Sequence, residues 1–104
     1  MKEETLRFLG LLRKGGNLII GKAVESAVTK SSLIVIASDA GEAVAKAISD
    51  KAAHYHKRVY VASNKTQLGE ALGYPELSAI AILHPKAAKK VLALEETAPQ
   101  KGEL

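Results

Sequence analysis

The chain has no cysteine and no tryptophan in its 104 residues, and aromatic side chains make up only 4% of it. Without cysteine there is no disulfide framework and no thiolate metal site, which fits a reducing, cytoplasmic setting. With so few aromatics, the core has to be built from Ala, Val, Ile and Leu. Long apolar runs are missing too, and none approaches the roughly 20 residues that a membrane helix needs. Residues 1–15 carry Glu3, Glu4, Arg7 and Arg13 inside their apolar pattern, so they are not expected to be a signal peptide. A soluble protein with no membrane partner is expected. What is present is an ordinary globular balance, 47% hydrophobic and 25% charged. At this length one domain buries about two-thirds of its unfolded surface without staples. The net charge of +4 suits a nucleic-acid partner and suits a merely soluble surface equally well.

Helical and strand periods alternate along the chain. Leu6, Phe8, Leu9, Leu11 and Leu12 predict an amphipathic helix over about residues 3–14, stopped by Gly15-Gly16. Leu18-Ile19-Ile20 reads as a strand, and after Gly21 a helix with the stripe Val24, Ala27 and Val28 is expected. Leu33 to Ala37 is continuously apolar and, alone in the chain, reads as a strand buried on both faces. Asp39 and Glu42 predict a capping box for a helix to about His54, with Val44, Ala47, Ile48 and Ala52 inward. Val59 to Ala62 and Ser78 to Leu83 are further strands, and Pro85 opens the last helix. From Thr97 the composition turns polar, so a single domain over 1–96 with a frayed, flexible tail over 97–104 is expected. Four strands alternating with five helices predict an α/β fold, a three-layer α/β/α sandwich around a small mixed sheet.

Several chemical motifs are weaker than they look. Gly16 to Ala23 nearly matches a phosphate-binding P-loop, but Ala23 replaces the magnesium-holding hydroxyl and Leu18-Ile19-Ile20 fill the loop. Asp50 and His54 are four apart, and a salt-linked helix end explains them; two His residues without a third ligand make a poor zinc site. Ser38, Asp39, Ser63 and Asn64 each fall where a helix needs a cap. No catalytic residue, metal site or cofactor is expected.

The stretch Asn64 to Gly73 is the most telling. Asn64 and Gln67 form a capping box, and Gly73 with Pro75 beyond it is a stop. Gly69 lies inside the helix at a cost of roughly 1 kcal/mol against Ala, which calls for close backbone packing or a special contact. A capping residue, Leu-Gly-x-Ala-x-Gly, a short loop and a small-residue strand resemble the kink-turn-binding ribosomal protein family (archaeal L-seven-Ae, eukaryotic L-thirty-e), most nearly its bacterial YlxQ branch. The similarity spans roughly residues 6 to 94 and includes Ile48 to Tyr55.

That resemblance implies the same sandwich fold and a ribonucleoprotein role: RNA binding, associated with the ribosome or translation. It places an RNA-reading edge on three loops: Gly21-Lys22, Ser38-Asp39-Ala40-Gly41, and Tyr74-Pro75-Glu76-Leu77-Ser78. The expected contacts are Gly21, Lys22, Lys30, Ser38, Asp39, Gly41, Tyr74, Glu76 and Leu77, with apolar residues of the third loop set against a flipped-out nucleotide. The family's Gly-x-Asn-Glu-x-x-Lys element is altered, however, because Ala23, Val24 and Ala27 occupy its Asn, Glu and Lys places. Lysines and helix amino ends remain to hold a phosphate backbone. The alternative is a protein-interaction module on the same fold. Clustering of Lys22, Lys30, Lys46, Lys65 and Lys86 on the loop edge would favour RNA, and their scatter would favour interaction or plain solubility.

Overall fold

The computed structural model describes the backbone to Glu103 and the side chains to Glu96, so the tail expected over 97–104 falls outside the fully described residues. In chain order the elements are α1 (Glu3–Lys14), β1 (Leu18–Ile20), α2 (Ala23–Ser26), a 3-10 turn (Val28–Lys30), β2 (Leu33–Ile36) and α3 (Glu42–His54). Then come β3 (Val59–Val61), α4 (Lys65–Leu72), β4 (Ala79–Ile82) and α5 (Pro85–Glu103). The strands lie in the order β1-β4-β2-β3, with β4 antiparallel to both neighbours and β2 parallel to β3. This is the expected α/β/α sandwich around a four-stranded mixed sheet.

Successive strand residues point to opposite faces, so each strand feeds both cores. Leu33 and Val35 of β2 and Ile80 and Ile82 of β4 pack with Leu9 and Leu12 of α1, Leu68 of α4 and Val91 of α5. Ile34, Ile36, Ala79 and Ala81 meet Val24, Val28, Ile48 and Ala52 on the other face. All four residues of β2 are buried, but so are all four of β4. The expectation that β2 alone is covered on both faces is therefore corrected; the small side chains of Ala79 and Ala81 hide β4's second apolar face in the sequence pattern.

The helix expected after Gly21 breaks into α2 and the 3-10 turn. Just beyond the break, serine hydroxyls tie the chain to backbone carbonyls on its way into β2. The Ser31 hydroxyl donates to the Ala27 carbonyl at 2.7 Å, and that of Ser32 donates to the Leu83 carbonyl at 2.8 Å. In α3 the inward stripe is Ala45, Ile48 and Ala52, while Val44 is 45% exposed. Asp50 pairs with Lys46 at 3.1 Å rather than with His54, whose ring sits edge-on to Tyr55.

Helix α4 is built as its sequence suggests. Asn64 Oδ1 accepts the Gln67 amide at 2.8 Å, and Gly73 closes the helix in the left-handed region at φ 86°. The return half of the capping box is absent, because Gln67 Oε1 takes the Ser63 hydroxyl instead. A Cβ on Gly69 would lie 2.5 Å from Glu76 Cα and 2.7 Å from both the Glu76 amide nitrogen and the Tyr74 carbonyl oxygen. The loop after α4 folds back onto the helix at that glycine.

Helix α1 has no side-chain cap of its own. Glu95, from α5, supplies one: its Oε2 accepts the Lys2 amide at 3.0 Å and the buried Thr5 hydroxyl at 2.6 Å, and its Oε1 accepts the Tyr60 hydroxyl at 3.1 Å. Burial pushes the Glu95 carboxyl up, but these three hydrogen bonds and the nearby amino terminus outweigh it and hold the group below the usual carboxylate range. A lowered folded-state value means that the carboxylate contributes stability above its unfolded pKa and loses it as pH falls through the folded one. Glu95→Gln is thus expected to flatten the acid side of the stability profile, below about pH 4. Glu95→Ala should cost about 1–2 kcal/mol at neutral pH through the lost cap. Urea denaturation across pH checks both, and an unchanged acid limb in Glu95→Gln counts against this role.

Candidate functional site

Strands β2 and β3 end, and β4 begins, at one end of the sheet, where Ile36 pairs with both Val61 and Ala79. Strand β1 ends there as well, with Ile20 opposite Ile80. All three loops implied by the resemblance leave from this end. Gly21 turns the first with φ 65°, its amide donating to the Ala79 carbonyl at 3.3 Å. In the third, the Leu77 amide donates to the Lys65 carbonyl at 3.0 Å, and the Ser78 carbonyl accepts the Ala37 amide at 2.8 Å.

The second loop is spent on structure. Asp39 does not cap α3; its Oδ1 accepts the Lys65 amide at 2.8 Å and so helps cap α4. Ser63, in the left-handed region at φ 64°, accepts both the amide and the hydroxyl of Ser38 on its carbonyl oxygen. Helix α3 therefore begins at Glu42, after Gly41, with no side-chain cap on its first N–H groups. The sequence put Asp39 and Glu42 at the right spacing for a box. The parallel β2–β3 pairing brings Lys65 within reach of Asp39, and this long-range partner takes the carboxylate.

Between the first loop, the third loop and α3 lies a groove of about 510 Å³. Leu77, only 7% exposed, Ile48 and Val44 give it apolar lining, and Lys22, Glu25 and Glu76 add charge. The Glu76 carboxylate also lies 3.9 Å from Lys65 Nζ. Of the expected contact residues, Gly21, Lys22, Glu76 and Leu77 line this groove, whereas Ser38 and Asp39 are tied into the neighbouring β3–α4 turn and Gly41 caps α3. Tyr74 faces the other helical layer, where its hydroxyl accepts a hydrogen bond from Arg13 at 2.8 Å. Lys30 precedes β2, at the opposite end of the sheet from the three loops. Sequence reasoning missed Glu25, Val44 and Ile48. Val44 was readable only as core, since its exposure depends on how α3 is rotated against the sheet.

Among the described residues no group of three or more His, Asp or Glu side chains gathers as a metal site, and no helix is long and apolar enough to cross a membrane.

No protein-family model matches the sequence, and no curated protein matches it. Among solved structures, it is similar to a protein of unknown function from Bacillus halodurans C, at 31% identity and a TM-score of 0.82. The likeness covers 89% of this chain and 97% of that one. With that identity over nearly the whole of its length, the chain belongs to the same family as the Bacillus halodurans protein.

Proposed function

We propose that this chain is a non-catalytic, cytoplasmic RNA-binding protein, associated with the ribosome or translation and related to the kink-turn-binding ribosomal proteins. The observation that carries the reading is the closure of one groove by two of the three loops which that resemblance assigns to RNA. Its apolar lining of Leu77, Val44 and Ile48 suits an unstacked nucleobase, the feature by which proteins read RNA loops and bulges. Lys22 stands beside it to meet a phosphate, opposed by the Glu25 and Glu76 carboxylates of the same lining, and the amino end of α3, free of a side-chain cap, adds N–H groups and a positive dipole. Ala23, Val24 and Ala27 offer no base-edge hydrogen bonds, so the contact is mainly with the backbone.

A second reading, a protein-interaction module, draws support from the lysines. Only Lys22 and Lys65 lie at the loop end; Lys30 and Lys86 flank the opposite end, and Lys46 is paired with Asp50 on α3. Filter binding to a kink-turn RNA and a plain duplex at two salt concentrations separates the two. RNA binding is expected to be modest and to fall steeply with salt. Lys22→Glu should weaken both RNAs about equally and reduce the log–log salt slope by about one. Binding that ignores salt and Lys22, or no binding at all, hands the case to the interaction reading.

A further inference from the structure

Leu11 is the most exposed large apolar side chain among the described residues, at 64%, although Leu9 and Leu12 beside it are buried. It borders a second groove, of about 380 Å³, between α1 and α4. Gly10, Ala71 and Leu72 give it an apolar lining; a Cβ on Gly10 would stand 3.5 Å from the Ala71 carbonyl oxygen. Arg7, Arg13 and Lys14 line its rim, and no carboxylate does. Arg13 is held in place by the Tyr74 hydroxyl at 2.8 Å, with its guanidinium 5.9 Å from the ring centre. Toward the start of α1 the adjoining hollow has Glu3 and Glu70 in its wall, and Arg7, shared between the two hollows, lies 4.0 Å from the Glu3 carboxylate. A basic last turn complements the dipole of α1, which accounts for Arg13 and Lys14. It does not account for Leu11 standing in water among them.

We propose that the α1–α4 groove docks a protein segment in which an apolar side chain is flanked by carboxylates. The apolar chain rests on Leu11, Ala71 and Leu72, and the carboxylates meet Arg7, Arg13 and Lys14. Charge complementarity selects this occupant. A phosphate backbone continuing along α1 would run onto Glu3 and Glu70, whereas a peptide sets its charge residue by residue. An apolar anchor in an apolar groove, rimmed by charge, is also the usual anatomy of a protein contact. The site is separate from the loop-end groove and stands or falls independently of the RNA reading.

The test is selection of a random dodecapeptide display library on the purified full chain, followed by fluorescence anisotropy and amide NMR with the enriched peptides. The expected consensus is Leu, Ile or Phe flanked by Asp or Glu, shifting amides over residues 7–14 and 70–72. Leu11→Ser and Lys14→Glu, both at exposed positions, are each expected to weaken binding about ten-fold or more. Lys22→Glu is expected to leave it unchanged. No enrichment, a consensus without acids, or affinity indifferent to Leu11→Ser overturns the proposal. So does structured RNA that shifts these same amides while the peptides do not.

Discussion

Gly69→Ala is expected to destabilise the protein by about 2–3 kcal/mol, although the same change in an open helix stabilises by up to about 1 kcal/mol. The sign reverses because of what the missing side chain makes room for. The new Cβ would sit 2.5 Å from Glu76 Cα and 2.7 Å from the Tyr74 carbonyl oxygen, and both are backbone, not the yielding end of a side chain. Either α4 or the loop must move. The Leu77 amide bond to the Lys65 carbonyl and the approach of Lys65 to Glu76 tie the loop down, so the movement breaks contacts on both sides. For a domain of this size the loss corresponds to a midpoint lower by roughly 10–20 °C. Because Glu76 and Leu77 line the loop-end groove, Gly69→Leu should also distort that wall. Thermal and urea denaturation measure the effect, and a Gly69→Ala protein as stable as wild type would mean that the loop does not rest on α4.

This glycine was legible in the sequence because its cost had no local compensation, and the same holds for Gly73 and for Asn64, whose roles depend on neighbours a few residues away. The order of elements was legible for a similar reason, since periodicity and caps are local. What escaped was long-range. Asp39 bonds Lys65 across the parallel β2–β3 pair, and Glu95 caps α1 from α5; neither spacing has a sequence signature. Val44 read as inward and Leu11 as part of the apolar pattern of α1, yet both are exposed, because a helical wheel gives the apolar stripe but not how far neighbouring helices cover its flanks. Lys30 looked close to Lys22 along the chain, yet α2 and the 3-10 turn carry it to the other end of the sheet. The candidate site was therefore half readable: its loops could be named, but not which of their side chains line the groove.

Ile34→Asp is expected to have the largest effect of any single change considered, about 4 kcal/mol or more, out of a total of about 5–15 kcal/mol for a domain. Ile34 is fully buried, paired with Ala81 on one side and Val59 on the other. It points into the cluster of Val24, Val28, Ile48 and Ala52, where every side chain is a hydrocarbon and a carboxylate would find neither water nor a donor. Part of the loss is simple loss of packing, and Ile34→Ala, expected to cost about 2–4 kcal/mol, measures that part. The remainder has its own signature. Burial raises the folded-state pKa of the new carboxyl above its unfolded value near 3.9. The folded variant therefore binds its proton more tightly, and its stability falls as pH rises from about 4 toward neutrality. Compared with wild type, Ile34→Asp should thus be less impaired at about pH 5 than at about pH 7, whereas the deficit of Ile34→Ala should not depend on pH. Urea denaturation of the three proteins at both values reads this directly. A folded Ile34→Asp protein with a small, pH-independent deficit would place residue 34 at a wet surface and remove β2 from the centre of the sheet, along with the loop that it carries to the candidate site.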